Sequence, residues 1–152
     1  MIRLRLPPAA LGREYLAIPF FTFMVDSRLT TERITPHLQS ILGIGGGNKK
    51  TKIIQGISAG GVSTGALLEL KDVSVPTATD SLSIPIPELH AVVTDFPQEH
   101  IDPAHDPVEG MIGMEFLSLF DVELDFSRNR LRLYRLGKAT HDENNLAINE
   151  AL

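Results

Sequence analysis

FFTFMVDSRLTTERITPHLQSILG, residues 20–43, carries three local signals in a row. Its aromatic and branched run begins upstream (YLAIPFFTFMV, 15–25) and predicts a buried strand that stops at the polar turn Asp26-Ser27. Further on, Thr35 has the hydroxyl of an N-cap, Pro36 suits the first helical position, and Leu38, Ile41 and Leu42 form an apolar stripe. Gly43 fits the left-handed position that ends a helix. Strand, acidic turn and short capped helix follow one another, with Asp26 at the strand's C-terminal end.

Outward from there the pattern stays mostly β. Residues 44–52 (IGGGNKKTK) read as a polar loop, and residues 53–75 alternate short strand-like runs around Gly56, Gly60, Gly61 and Gly65, as a glycine-tipped hairpin would. Residues 76–87 read as an irregular excursion, residues 89–93 as a strand, and residues 98–109 (QEHIDPAHDPVE) as a polar loop. Met111-Ile112-Gly113 leads into an apolar helix over residues 114–120. Residues 122–126 and 131–134 alternate about a turn at 127–129, which describes a β-hairpin. The expectation is one mostly β domain with two short helices over 15–136, an N-terminal extension over 1–14, and a polar C-terminal tail over 137–152.

Composition agrees with one globular domain: 152 residues, 43% hydrophobic and 22% charged. Cysteine is absent, so disulfides, thiolate catalysis and zinc-thiolate sites are excluded. A formal net charge of −5 argues against nucleic acid as a partner, because the basic residues that cluster, Arg128, Arg130, Arg132 and Arg135, are spread along one predicted strand. Pro7 and Pro8 interrupt any secretion signal, and the apolar run at 17–25 is far shorter than the ~20 residues of a spanning helix. A soluble protein without a membrane partner is expected.

Three constellations carry less than they first suggest. Residues 43–51 (GIGGGNKKT) look like a phosphate loop, but Asn48 stands where the pattern needs glycine, and a helix end rather than a strand precedes it. His100, Asp102, His105 and Asp106 are plausible metal ligands by type, yet prolines flank the acids and no further ligand is evident, so no metal is expected. Gly56-Ile57-Ser58-Ala59-Gly60 has the letters of a nucleophile elbow without the following helix. No cofactor is expected either.

The strongest constellation is Phe23-Met24-Val25-Asp26-Ser27, then Thr30-Thr31, Ile34-Thr35-Pro36, the glycines of residues 56–65, and Gly110-Met111-Ile112-Gly113-Met114. In these elements the chain resembles the retropepsin-like aspartic proteases. There an apolar strand delivers an Asp-Thr/Ser-Gly turn, a Thr-Pro-capped helix and a glycine-rich flap follow, and a hydrophobic-hydrophobic-Gly element opens a helix before a closing hairpin. The order matches over about residues 15–135.

The resemblance implies a retropepsin-like acid protease β-barrel, one lobe per chain, and an aspartic endopeptidase, a hydrolase of peptide bonds. Two carboxylates sharing one proton are required, and one chain supplies a single Asp26 in context, so the implied enzyme is a homodimer acting on extended peptide or protein substrate. Catalysis falls to Asp26; Ser27, Arg28, Thr30 and Gly113 would support the active-site loop; Gly56, Ile57, Ser58, Ala59, Gly60 and Gly61 would form the substrate-binding flap. The chain departs from the pattern twice. Arg28 stands in place of the motif glycine, adding bulk and a charge that favours ionised Asp26 and impairs the shared proton. Residues 15–25 contain no polar turn, so the first hairpin is expected to be shortened. The alternative is a catalytically inactive, protease-like dimerisation or peptide-binding module.

Overall fold

The structure, a computed structural model, describes residues 2–7, 20–45, 52–58, 61–76, 83–95, 107–128, 130–136 and 146–151. In chain order they form β1 (Ile2–Arg5), β2 (Phe20–Val25), β3 (Glu32–Ile34), α1 (Pro36–Leu42), β4 (Lys52–Ser58), β5 (Gly61–Leu70), β6 (Ser74–Pro76), β7 (Ser83–Pro85), β8 (Leu89–Val93), β9 (Val108–Ile112), α2 (Met114–Leu117), β10 (Phe120–Asp125), β11 (Arg130–Arg135) and β12 (Leu146–Ala151). Nine strands make one sheet in the order β4-β5-β8-β3-β9-β2-β1-β6-β7, and β10-β11-β12 make a second. The domain is mostly β with two short helices.

The expected barrel is not closed. Closure would need the edge strands β4 and β7 to pair, and they lie at opposite ends of the order. β4 instead leaves with β5 as a hairpin: β5 pairs with β8 only over Leu67–Leu70, so its first six residues have β4 as their sole strand neighbour.

Helix α1 forms for the local reasons its sequence gives. Thr35 Oγ1 accepts from the Leu38 N–H at 3.0 Å, Pro36 opens the first turn, and Gly43 adopts φ 63° while its N–H reaches Ser40 O. Leu38 and Leu42 are buried with Phe23, Ile34, Phe116, Leu131 and Leu133, so both sheets share one core. Each such side chain contributes about 1.5–3 kcal/mol through burial.

Several expectations fail for identifiable reasons. The first hairpin is not shortened, and residues 2–7 are not a loose extension. β1 pairs antiparallel with β2, Ile2 opposite Phe23 and Arg5 opposite Phe20, which places Ile2, Leu4 and Leu6 fully inside. Arg3 and Arg5 lie over the Phe20 ring on the other face, 5.2 and 4.4 Å from its centroid. Residues 76–87 are not wholly irregular, because β6 and β7 pair. The polar tail contains β12, paired antiparallel with β11. The second helix is also shorter than the expected 114–120, since Phe120 already opens β10, and the loop expected through residue 109 ends where Val108 starts β9.

Candidate active site

β2 runs parallel to β9, with Val25 beside Ile112, and beyond that pair the chain turns at Asp26. Backbone hydrogen bonds stitch the turn to the start of α2: Asp26 N to Ile112 O at 2.9 Å, Leu29 N to Asp26 O at 3.1 Å, and Met114 N to Leu29 O at 2.7 Å. Gly113 makes this approach possible. A Cβ there would stand 2.7 Å from Leu29 O and 2.9 Å from Leu29 Cβ, closer than real contacts allow. Asp26 and Gly113, 87 residues apart in the chain, are thus brought together in space.

Asp26 is gripped by Arg28. The Arg28 backbone N–H donates to Oδ1 at 3.0 Å, Nε donates to Oδ1 at 2.9 Å, and Nη2 donates to Oδ2 at 3.0 Å. These bonds hold the Asp26 carboxyl below the usual carboxylate range; partial burial opposes the shift, and Arg33 adds a further positive field. The two objections raised by Arg28 in the sequence separate here. Its charge does act on Asp26. Its bulk does not keep the backbone away, since the Arg28 N–H reaches the carboxylate, and Asp72 is the only non-glycine with positive φ among the described residues. Ser27 and Thr30 are exposed beside the turn.

Facing the turn is the projecting hairpin, with Gly56 opposite Ser63 and Ser58 opposite Gly61; Ala59 and Gly60 lie outside the described residues. Because β5 follows β4, Ser58 is not at a strand-to-helix elbow. Between turn and hairpin lies a groove of about 440 Å³, bordered by Arg28, Leu29, Thr31, Arg33, Gln55 and Thr64 among others. His100, Asp102, His105 and Asp106, and residues 46–51 of the glycine loop, also lie outside the described residues.

One residue that the sequence reading passed over anchors the whole arrangement. Glu32, fully buried on β3, accepts the Phe116 N–H at 2.8 Å and the Gly113 N–H at 3.3 Å through Oε1, so it caps α2 from another element. Gly113 itself offers no capping side chain. Glu32 Oε2 is buried without a partner among the described residues, and burial pushes the acid up to about 7. The signal in the sequence was parity: Glu32 shares the inward face of β3 with Ile34 while Arg33 points to the groove. His90 and His37 each face a carboxylate. His90 Nδ1 lies 3.0 Å from Glu115 Oε1, a bond that raises the imidazole's pKa, and Nε2 lies 3.3 Å from Glu88. His37 Nδ1 lies 2.8 Å from Glu109, which also accepts from Thr35 Oγ1 at 2.6 Å.

Compared with family models, curated proteins and solved structures, the chain matches none.

Proposed function

We propose that the chain is one lobe of a retropepsin-like aspartic endopeptidase, completed by a second copy, whose activity Arg28 restrains. The observation that carries this reading is the placement of Asp26: at the end of an apolar strand, hydrogen-bonded to the last residue of the strand that leads into Gly113, and across a groove from a projecting glycine-bearing hairpin. The capped helix after the turn and the hairpin β10–β11 after α2 complete the order of elements that the resemblance calls for.

In that dimer one Asp26 would withdraw a proton from water while its protonated partner polarised the scissile carbonyl. A guanidinium on both oxygens of each carboxylate opposes the protonated form, so restrained activity follows from the geometry. The same ion pair favours a second reading, a lobe kept for dimerisation or peptide binding without chemistry.

Cleavage of an unfolded protein, with Asp26→Asn as control and sedimentation at micromolar concentration, tests the first reading. A dimer with slow, Asp26-dependent cleavage is expected. A strictly monomeric species, or cleavage that survives Asp26→Asn, would sink the two-carboxylate mechanism.

A further inference from the structure

We infer that the groove beside Asp26 selects peptides carrying an acidic side chain, which Arg33 receives; the inference deepens the function proposed above and rests on it. The chain as a whole is acidic, with a net charge of −5, yet among the described residues no Asp or Glu borders this groove, while Arg28 and Arg33 both do. The local charge is therefore opposite to the average.

The two arginines differ in what they can offer. Arg28 is committed to Asp26 through three hydrogen bonds. Arg33 has no ion-pair partner among the described residues, because its neighbours on the groove side are hydroxyls, an amide and aliphatic groups: Thr31, Thr64, Thr94, Gln55 and Val92. It sits on β3 between β8 and β9, opposite Val92 and Met111, so its backbone is held from both sides. The B-i-B burial of β3 turns Glu32 and Ile34 into the core and leaves Arg33 half-buried at the groove wall. A half-buried guanidinium carried on a paired strand meets a carboxylate as a planar fork and loses less to solvent screening than a surface pair. The threonine hydroxyls add donors around the same spot. A lysine or arginine side chain in that position would instead face Arg33 without a compensating acid.

The experiment measures binding, separately from cleavage, on the full chain with Asp26 and Arg28 unchanged, so that Arg28 stays paired, and uses peptides whose backbone amides are replaced by uncleavable reduced bonds. Fluorescein-labelled ten-residue peptides, identical except for one Glu, Gln or Lys scanned through each position, are titrated by anisotropy. At one position Glu is expected to bind about tenfold tighter than Gln, with Lys weaker still, and the preference should shrink between about 0.05 and 0.5 M salt. Arg33→Met should abolish the preference and Arg33→Lys should retain part of it. Equal affinity for Glu and Gln peptides at every position overturns the inference, using no variant at Arg33 whose folding could be questioned. So does a preference that survives in a folded Arg33→Met chain. If Glu is preferred but the chain with Asp26 intact cleaves nothing, the inference stands and the endopeptidase reading fails. If cleavage is Asp26-dependent but indifferent to charge, the endopeptidase reading stands and the inference fails.

Discussion

Arg28 covers both carboxylate oxygens of Asp26, Nε at 2.9 Å from Oδ1 and Nη2 at 3.0 Å from Oδ2, while its own side chain is 88% exposed. The guanidinium thus lies over the carboxylate from the solvent side, where a substrate would arrive. Its removal should leave the fold untouched.

Arg28→Gly is expected to raise peptide cleavage at least about tenfold, most at mildly acidic pH, because the Asp26 pair can then hold its single proton. Asp26→Asn in that background should erase the gain. An Arg28→Gly chain that is folded, dimeric and inert at every pH would show that the guanidinium is not what restrains the site.

The Asp26 carboxyl, titrated by NMR, should lie below the ordinary range in the unmodified chain and move up toward it in Arg28→Gly. A lowered folded-state pKa contributes stability above the unfolded value that is lost as pH falls through the folded one. The acid side of the stability profile should therefore flatten in Arg28→Gly. Identical Asp26 titrations in the two chains would contradict the ion pair.

Glu32 has the opposite sign. Its acid is pushed from 4.5 up to about 7, so between those values the folded state holds more protons than the unfolded one, and stability falls as pH rises through that window. The drop is of the order of 3 kcal/mol at most. Glu32→Gln keeps a carbonyl oxygen for the Phe116 and Gly113 N–H groups, so it should remove this slope. Urea unfolding at the two ends of the window measures it. A slope unchanged by Glu32→Gln would assign it elsewhere.

Gly113→Ala should destabilise the chain by about 1–3 kcal/mol, since the added methyl meets the Leu29 carbonyl. Gly56→Ala, whose Cβ would lie 3.6 Å from Ser63 Oγ, is the control and should stay within about 0.5 kcal/mol. Equal costs for the two would mean the Leu29–Gly113 approach is looser than described.

Amides in the first part of β5 should exchange fast without ligand and slow when a peptide fills the groove, because there β4 is their only strand neighbour and their side chains are exposed. Unchanged protection at saturating peptide would deny the hairpin a covering role.

What could be read in the sequence follows how far apart the interacting groups lie. Helix α1 was legible to the residue because its cap, first-turn proline and terminal glycine act within nine positions. The effect of Arg28 on Asp26 was legible too, as a pair two residues apart. Glu32 was not, because the amides it serves are 81 and 84 residues away. β1 was hidden by its own alternation with arginine and by the long interval before β2. β12, short and set in a polar tail, was hidden because its pairing with β11 is what makes it a strand.

β1 lies between β2 and β6 in the large sheet, and among the described residues β6–β7 has no other hydrogen-bonded strand partner. β1 therefore needs two partners, and the second, met at Ser74, lies 69 residues beyond Arg5. Pairings this distant in sequence make for slow, late-committing folding. Until Ser74 has been synthesised, the side of β1 that pairs through Arg5 is open to any strand that arrives first, a neighbouring nascent chain included.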